Sequence, residues 1–89
     1  MKVKFFTAIW CPACIVMRYR WEKIRSQYPE LETIYFDYDN DVEPVKNYDI
    51  GKTLPVFIFI DNDGNEISRL VGEIDKHDLI KQIEAHKER

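Results

Sequence analysis

Hydrophobic and polar positions along this chain alternate between strand-like and helix-like spacing. "KVKFFTAI", residues 2–9, is rich in β-branched and aromatic residues and almost continuously apolar at its end. That predicts a strand covered on both faces. Cys14, Met17, Trp21, Ile24 and Tyr28 then recur at steps of three and four, one face of a helix running to about residue 28. Arg18, Arg20, Glu22, Lys23 and Arg25 fill its other faces. Pro12 suits its first turn, where a missing N–H costs nothing, and Pro29 marks the stop. "LETIYFDYD", residues 31–39, predicts a second strand. A polar link over 40–53 carries a short helix around 43–48. "LPVFIFID", residues 54–61, has the length and uniform apolarity of a buried strand. "DNDG", residues 61–64, is a hairpin signal, because Asn, Asp and Gly tolerate positive φ. "NEISRLVG", residues 65–72, is the return strand. Asp75 is placed to cap a last helix, with Asp78 favouring its positive end and Leu79, Ile80 and Ile83 on its buried side.

The order is β-α-β-(α)-β-β-α, an α/β class. The first two strands need a crossover helix and are expected to be parallel; the last two form an antiparallel hairpin. No internal repeat or linker interrupts the chain, so a single domain over residues 1–89 is expected. A chain of this length buries roughly 60% of its unfolded surface, enough for one core without staples.

Composition narrows the partners. The net charge is -3, and Lys and Arg are scattered, so a nucleic-acid footprint is not expected. No apolar run approaches the roughly 20 residues of a membrane span. The first apolar residues are too few and too strand-like for a secretory leader, so the sequence as written predicts a cytoplasmic protein. Structural disulfides rarely persist there, which makes a close cysteine pair more consistent with catalysis or metal binding.

Cys11 and Cys14, the only cysteines, stand in "IWCPACIVM". The spacing places Cys11 at the helix start and Cys14 in its first turn, on one side of the helix. Unpaired N–H groups at the helix start favour an anion, so a Cys11 thiolate is stabilised there. Cys14 belongs to the apolar stripe and is expected to be the more buried. A structural zinc site wants four ligands, and His77 and His86 are the only imidazoles, spaced unlike a ligand pair. A purely structural disulfide would close a loop worth at most about 2 kcal/mol. A redox pair is the reading that the strand-before, helix-after context favours. Metal binding is therefore not expected. The acids Asp37, Asp39, Asp41 and Glu43 match no calcium loop and read as a solvated segment. His77 and His86 read as exposed helix residues. Ile9 reads equally as an apolar docking contact or as core.

With these pieces placed, the sequence resembles the thioredoxin family. "FFTAIWCPAC" is similar to the family's strand end, tryptophan and CxxC; "TLPVFIFIDNDGNE" to its proline, third strand and hairpin; "LVGEIDKHDL" to its last strand, glycine and final helix. The resemblance covers nearly the whole chain. It implies a minimal thioredoxin-like fold, a four-stranded mixed sheet flanked by helices. It also implies a thiol–disulfide oxidoreductase that reduces protein disulfides, with Cys11 as nucleophile and Cys14 as resolving thiol. Pro55 would be a cis-proline facing the pair, the Leu54 backbone would pair with an extended substrate segment, and Trp10, Pro12, Val71 and Gly72 would complete the rim. Taken singly, Trp10 reads as well as an ordinary aromatic, Pro55 as a trans strand-start proline and Gly72 as a turn. The implied partners are disulfide-containing proteins and an upstream reductase or thiol donor, for a monomer with no cofactor beyond the Cys11–Cys14 couple. The alternative is a non-catalytic binding module or redox-gated adaptor of the same fold.

The departures from the family pattern are specific. Family members of ordinary length carry a further strand and helix before the strand that opens this chain, so the size is closer to glutaredoxin. The family's buried acid falls at Phe5 and its lysine partner at Tyr35, so proton handling at Cys14 is expected to use water or backbone. Pro12-Ala13 replaces the usual Gly-Pro. The glutaredoxin Gly-Gly pair is absent, which argues against a glutathione site. Neither middle residue is histidine, which argues against a strong oxidant.

Overall fold

The computed structural model describes residues 1–88, so Arg89, the last residue of the expected domain, lies outside the described residues. Among the described residues, four strands and three α-helices run in the order β1 (Lys2–Thr7), α1 (Pro12–Arg25), β2 (Glu32–Asp37), α2 (Val42–Asn47), β3 (Val56–Ile60), β4 (Glu66–Val71) and α3 (Lys76–His86). The sheet order is β2-β1-β3-β4. β1 and β2 are parallel, joined across α1, while β3 is antiparallel to both β1 and β4. The expected α/β class, mixed sheet and element order are all present.

Alternation along the central strands sets the layers. Val3 and Phe5 of β1 and Phe57 and Phe59 of β3 meet Met17, Trp21 and Ile24 of α1 and Leu79 and Ile83 of α3. Phe6, Val56, Ile58 and Ile60 point to the other face and pack with Ile50 and Leu54, with Val45 and Tyr48 against them. Both faces of β1 and β3 are therefore covered, which is why their sequences are nearly unbroken in apolar residues. Each fully buried Phe or Leu contributes about 1.5–3 kcal/mol relative to exposure. Phe5 and Phe57 meet edge-on at 4.3 Å, and the Trp21 indole N–H donates to Thr33 Oγ1 at 3.0 Å.

The element ends are shorter than the apolar pattern suggests, for local reasons. β1 stops at Thr7, because the chain turns between Ala8 and Cys11, whose N–H donates to the Ala8 carbonyl at 3.2 Å. β3 starts after Pro55, which has no N–H for the ladder. α1 ends at Arg25 rather than near residue 28. Gln27 and Tyr28 donate to Ile24 and Arg25, each at 3.0 Å, in tighter three-residue turns. Pro29 disfavours helical backbone at Tyr28. At the hairpin, Asp61 Oδ1 accepts the N–H groups of Asp63 and Asn65, and Gly64 alone takes positive φ, +88°. Asp75 stands at the N-cap of α3, but its side chain makes no capping hydrogen bond, so position alone matches expectation.

Candidate dithiol active site

The turn after β1 delivers Cys11 to the N-cap of α1 in an extended conformation, φ -105° and ψ 105°. Pro12 follows as the first helical residue, its fixed φ suited to that position. One turn of helix then carries the Cys14 N–H to 3.2 Å from Cys11 Sγ, which accepts it as a serine or aspartate cap oxygen does. The same N–H also reaches the Cys11 carbonyl at 3.1 Å. Helix start and hydrogen bond together favour negative charge on Cys11 Sγ. The Cys11 thiol in turn donates to the Leu54 carbonyl at 3.6 Å. Both cysteines are free thiols, and both are largely buried, Cys11 at 6% exposure and Cys14 at 3%.

Cys14 sits in a different electrostatic setting. Burial first, then its hydrogen bond and charge interaction with Cys11, push its thiol up to about 12, with a backbone hydrogen bond at Ala8 offsetting part of the rise. Tyr35 is also pushed up to about 12, first by burial and then by donating to the Glu22 carboxylate. The sign follows from proton counting. Above pH about 9 the unfolded chain loses the Cys14 proton while the folded chain keeps it. Tyr35 does the same from about 10. Stability is therefore expected to fall as pH rises from about 9 and to level off past about 12. Urea midpoints across that window test this. Cys14→Ala should remove the part of the decline that begins near 9, and Tyr35→Phe the part that begins near 10.

Of the residues expected at the rim, Leu54 meets Cys11 directly through its carbonyl. The Leu54–Pro55 peptide is cis. Leu54 and Pro55 are buried, with the Leu54 carbonyl against the sulfur. Val71 pairs with Val56 across the ladder and is half-exposed. The Gly72 N–H donates to the Pro55 carbonyl at 2.8 Å, and its φ of +88° suits glycine alone. Pro12 is exposed beside the pair. Trp10 is 53% exposed, and its indole N–H donates to Asp39 Oδ2 at 2.8 Å while Tyr38 meets the ring edge-on at 5.9 Å. The acidic segment, expected to be solvated, thus supplies a tether for the tryptophan beside Cys11. Ile9, left open between core and docking contact, is 90% exposed. His77 is exposed, but His86 is only half so, with a buried Nδ1 that finds no partner among the described residues.

A cleft of about 450 Å³ opens between α1 and β2. Cys14, Ile15, Arg18, Tyr35 and Asp37 line it, with Ile9 at its wall. Phe5, where a buried acid was expected to be missing, is fully buried against Phe57 and Tyr35. The Arg18 guanidinium lies 4.4 Å over the Tyr35 ring. Among the described residues, no group of three or more His, Cys, Asp or Glu side chains is placed to hold a metal. Among the same residues, no helix is long and apolar enough to cross a membrane.

The family model described as Thioredoxin matches residues 2–85. The chain belongs to the thioredoxin family. Thioredoxin H7 of Arabidopsis thaliana is 38% identical over 82 residues, covering 92% of this chain and 61% of that relative. A thioredoxin of Chlamydia trachomatis is 30% identical over 82 residues, covering 92% of this chain and 78% of its own length. The X-ray structure of Fasciola hepatica thioredoxin superposes with a TM-score of 0.87 at 30% identity, over 96% of this chain and 79% of that one. The chain therefore spans about three-fifths of the plant relative's length. A thioredoxin-family chain with two free thiols three residues apart at a helix start holds a site suited to dithiol–disulfide exchange.

Proposed function

We propose that this protein is a thiol–disulfide oxidoreductase that reduces disulfides in other proteins, with Cys11 as nucleophile and Cys14 as resolving thiol. The observation that carries this reading is the Cys11 sulfur itself, capped by the Cys14 N–H at 3.2 Å and facing the Leu54 carbonyl at 3.6 Å. The Cys11 thiolate attacks one sulfur of the target disulfide and expels the other as a thiolate, leaving a mixed disulfide. Cys14 then loses its proton and attacks Cys11 Sγ. The target leaves with two thiols, and the Cys11–Cys14 disulfide holds the two lost electrons' worth of oxidation. The cycle balances with thiols alone, so it needs no bound cofactor. An upstream reductase or a low-molecular-weight thiol restores the dithiol.

In this reading an extended target segment pairs with the Leu54 backbone, over Pro55, between Trp10 and Pro12 on one side and Val71 and Gly72 on the other. The chain acts as a monomeric cytoplasmic domain over residues 1–89, without nucleic-acid or membrane partners. Trapping tests the roles. Cys14→Ser is expected to accumulate mixed disulfides through Cys11 when incubated with oxidised insulin or a cell extract, seen as thiol-sensitive bands. Equal trapping by Cys11→Ser would overturn this assignment of roles.

A further inference from the structure

The proposed exchange leaves one proton without a destination. Cys14 must give up its hydrogen before it attacks the mixed disulfide, and burial holds that hydrogen tightly. Position 5, where the family resemblance puts a buried acid, is a fully buried phenylalanine, so no carboxylate stands there. The cleft between α1 and β2 gives Cys14 a second exit.

Strand geometry identifies the carboxylate that shares it. Phe5 and Tyr35 are register partners and both pack on the face that α1 covers. Two residues on, Thr7 and Asp37 are also partners and lie on that same face. Asp37 therefore stands level with the start of α1, and it lines the cleft together with Cys14. Its Oδ2 accepts the Asn40 N–H at 3.1 Å and the Asn40 side-chain amide at 2.6 Å. These bonds orient the carboxylate and leave Oδ1 for a proton or a water. The cleft's 450 Å³ is ample for bridging waters, each needing about 30 Å³. Arg18 on the helix wall brings a guanidinium into the same cleft. Asp41 also lines the cleft, its Oδ2 accepting the Asp37 N–H at 2.7 Å, and its variant serves below as the comparison.

We propose that Asp37, acting through water in this cleft, accepts the proton of Cys14 during resolution of the mixed disulfide. This rests on the dithiol exchange proposed above. The S–H bond of Cys14 breaks and its proton passes to Asp37. The electron pair left on sulfur forms the Cys14–Cys11 bond, the Cys11–target bond breaks, and the departing thiolate takes a proton from solvent. The groups that bear on the pH dependence are Cys11 beside the thiol, Arg18 on α1, Tyr35 on β2 with its Glu22 partner on α1, and Asp41 before α2.

A symmetric dipyridyl disulfide separates the steps. The first thiopyridone released reports attack by Cys11, and the second reports resolution by Cys14. Asp37→Asn keeps an oxygen for Asn40. It is expected to leave the first phase within about twofold and to slow the second about 100-fold at pH 7, the lower end of the range for general base catalysis. The deficit is expected to shrink as pH rises and hydroxide takes over. In Asp37→Ala, added formate or acetate is expected to restore the second phase. A second phase unchanged in Asp37→Asn overturns the proposal, as does slowing equal at every pH with no rescue. So does a deficit that follows Asp41→Asn instead. Absence of the first phase in the unmodified protein would count against the dithiol exchange itself, a separate failure.

Discussion

Cys11→Ser is expected to bring disulfide turnover down to the rate of buffer alone while leaving the fold nearly as stable as before. The two outcomes come from the same position. Cys11 is the N-cap of α1, and its sulfur accepts the Cys14 N–H at 3.2 Å. Serine is among the preferred N-cap residues, so its hydroxyl takes over that hydrogen bond, and stability should change by no more than about 1 kcal/mol. A hydroxyl does not ionise near neutral pH and does not attack a disulfide, so the first step is lost entirely. Cys14 does not substitute, because it is 3% exposed and its thiol is held in the protonated form up to about 12. Insulin reduction followed by turbidity, beside thermal melting, measures both quantities. Residual turnover above about a tenth of the parent rate would mean that a second thiol can start the reaction and that Cys14 is less sheltered than its burial indicates.

What the sequence made legible, and what it did not, divides along contact distance in the chain. The Cys14–Met17–Trp21–Ile24 stripe is local, and it appears as the buried side of α1. The uniform apolarity of residues 56–60 reports two covered faces, and Phe57, Phe59 and Val56, Ile58, Ile60 fill opposite ones. The cysteine pair and its position at a helix start follow from four adjacent residues. By contrast, the tether between Trp10 and Asp39 joins residues 29 apart and depends on the parallel register of β1 and β2. An acidic run carries no sign of which carboxylate will face a strand end, so Asp37 and Asp39 read as solvent-facing. Once Phe5 is set opposite Tyr35, counting two residues along each strand leads to Thr7 and Asp37, and the cleft beside Cys14 becomes visible. The missing ingredient was register, not composition. The side-chain cap at Asp75 is a different kind of miss. The residue type was suitable and the position right, but φ -63° and ψ 146° at that residue come without the bond.

The second large effect concerns Phe5. Phe5→Asp, which places a carboxyl where family resemblance puts a buried acid, is expected to destabilise the protein by at least 3 kcal/mol rather than speed resolution. Phe5 is fully buried, 4.3 Å from the Phe57 ring and 5.7 Å from Tyr35, in the cluster that joins α1 and α3 to the sheet. Truncating a buried phenylalanine costs about 3–5 kcal/mol. The new carboxyl adds a desolvation cost with no facing cation, since its register partner is Tyr35 and the Arg18 charge lies over that ring. Against a typical domain stability of about 5–15 kcal/mol, this is a large fraction of the whole. The sign of the pH dependence separates the two contributions. Burial raises the folded pKa of the introduced carboxyl above about 4, so the extra loss should grow as pH climbs from there towards neutrality. Phe5→Leu, which removes volume without adding charge, should show a smaller loss with no such growth. Urea unfolding of both variants at pH 4 and pH 7 decides between packing and charge. A Phe5→Asp variant within about 1 kcal/mol of the parent at pH 7 would show that position 5 tolerates a carboxylate, and would remove the main physical reason for sending the Cys14 proton out through the cleft instead.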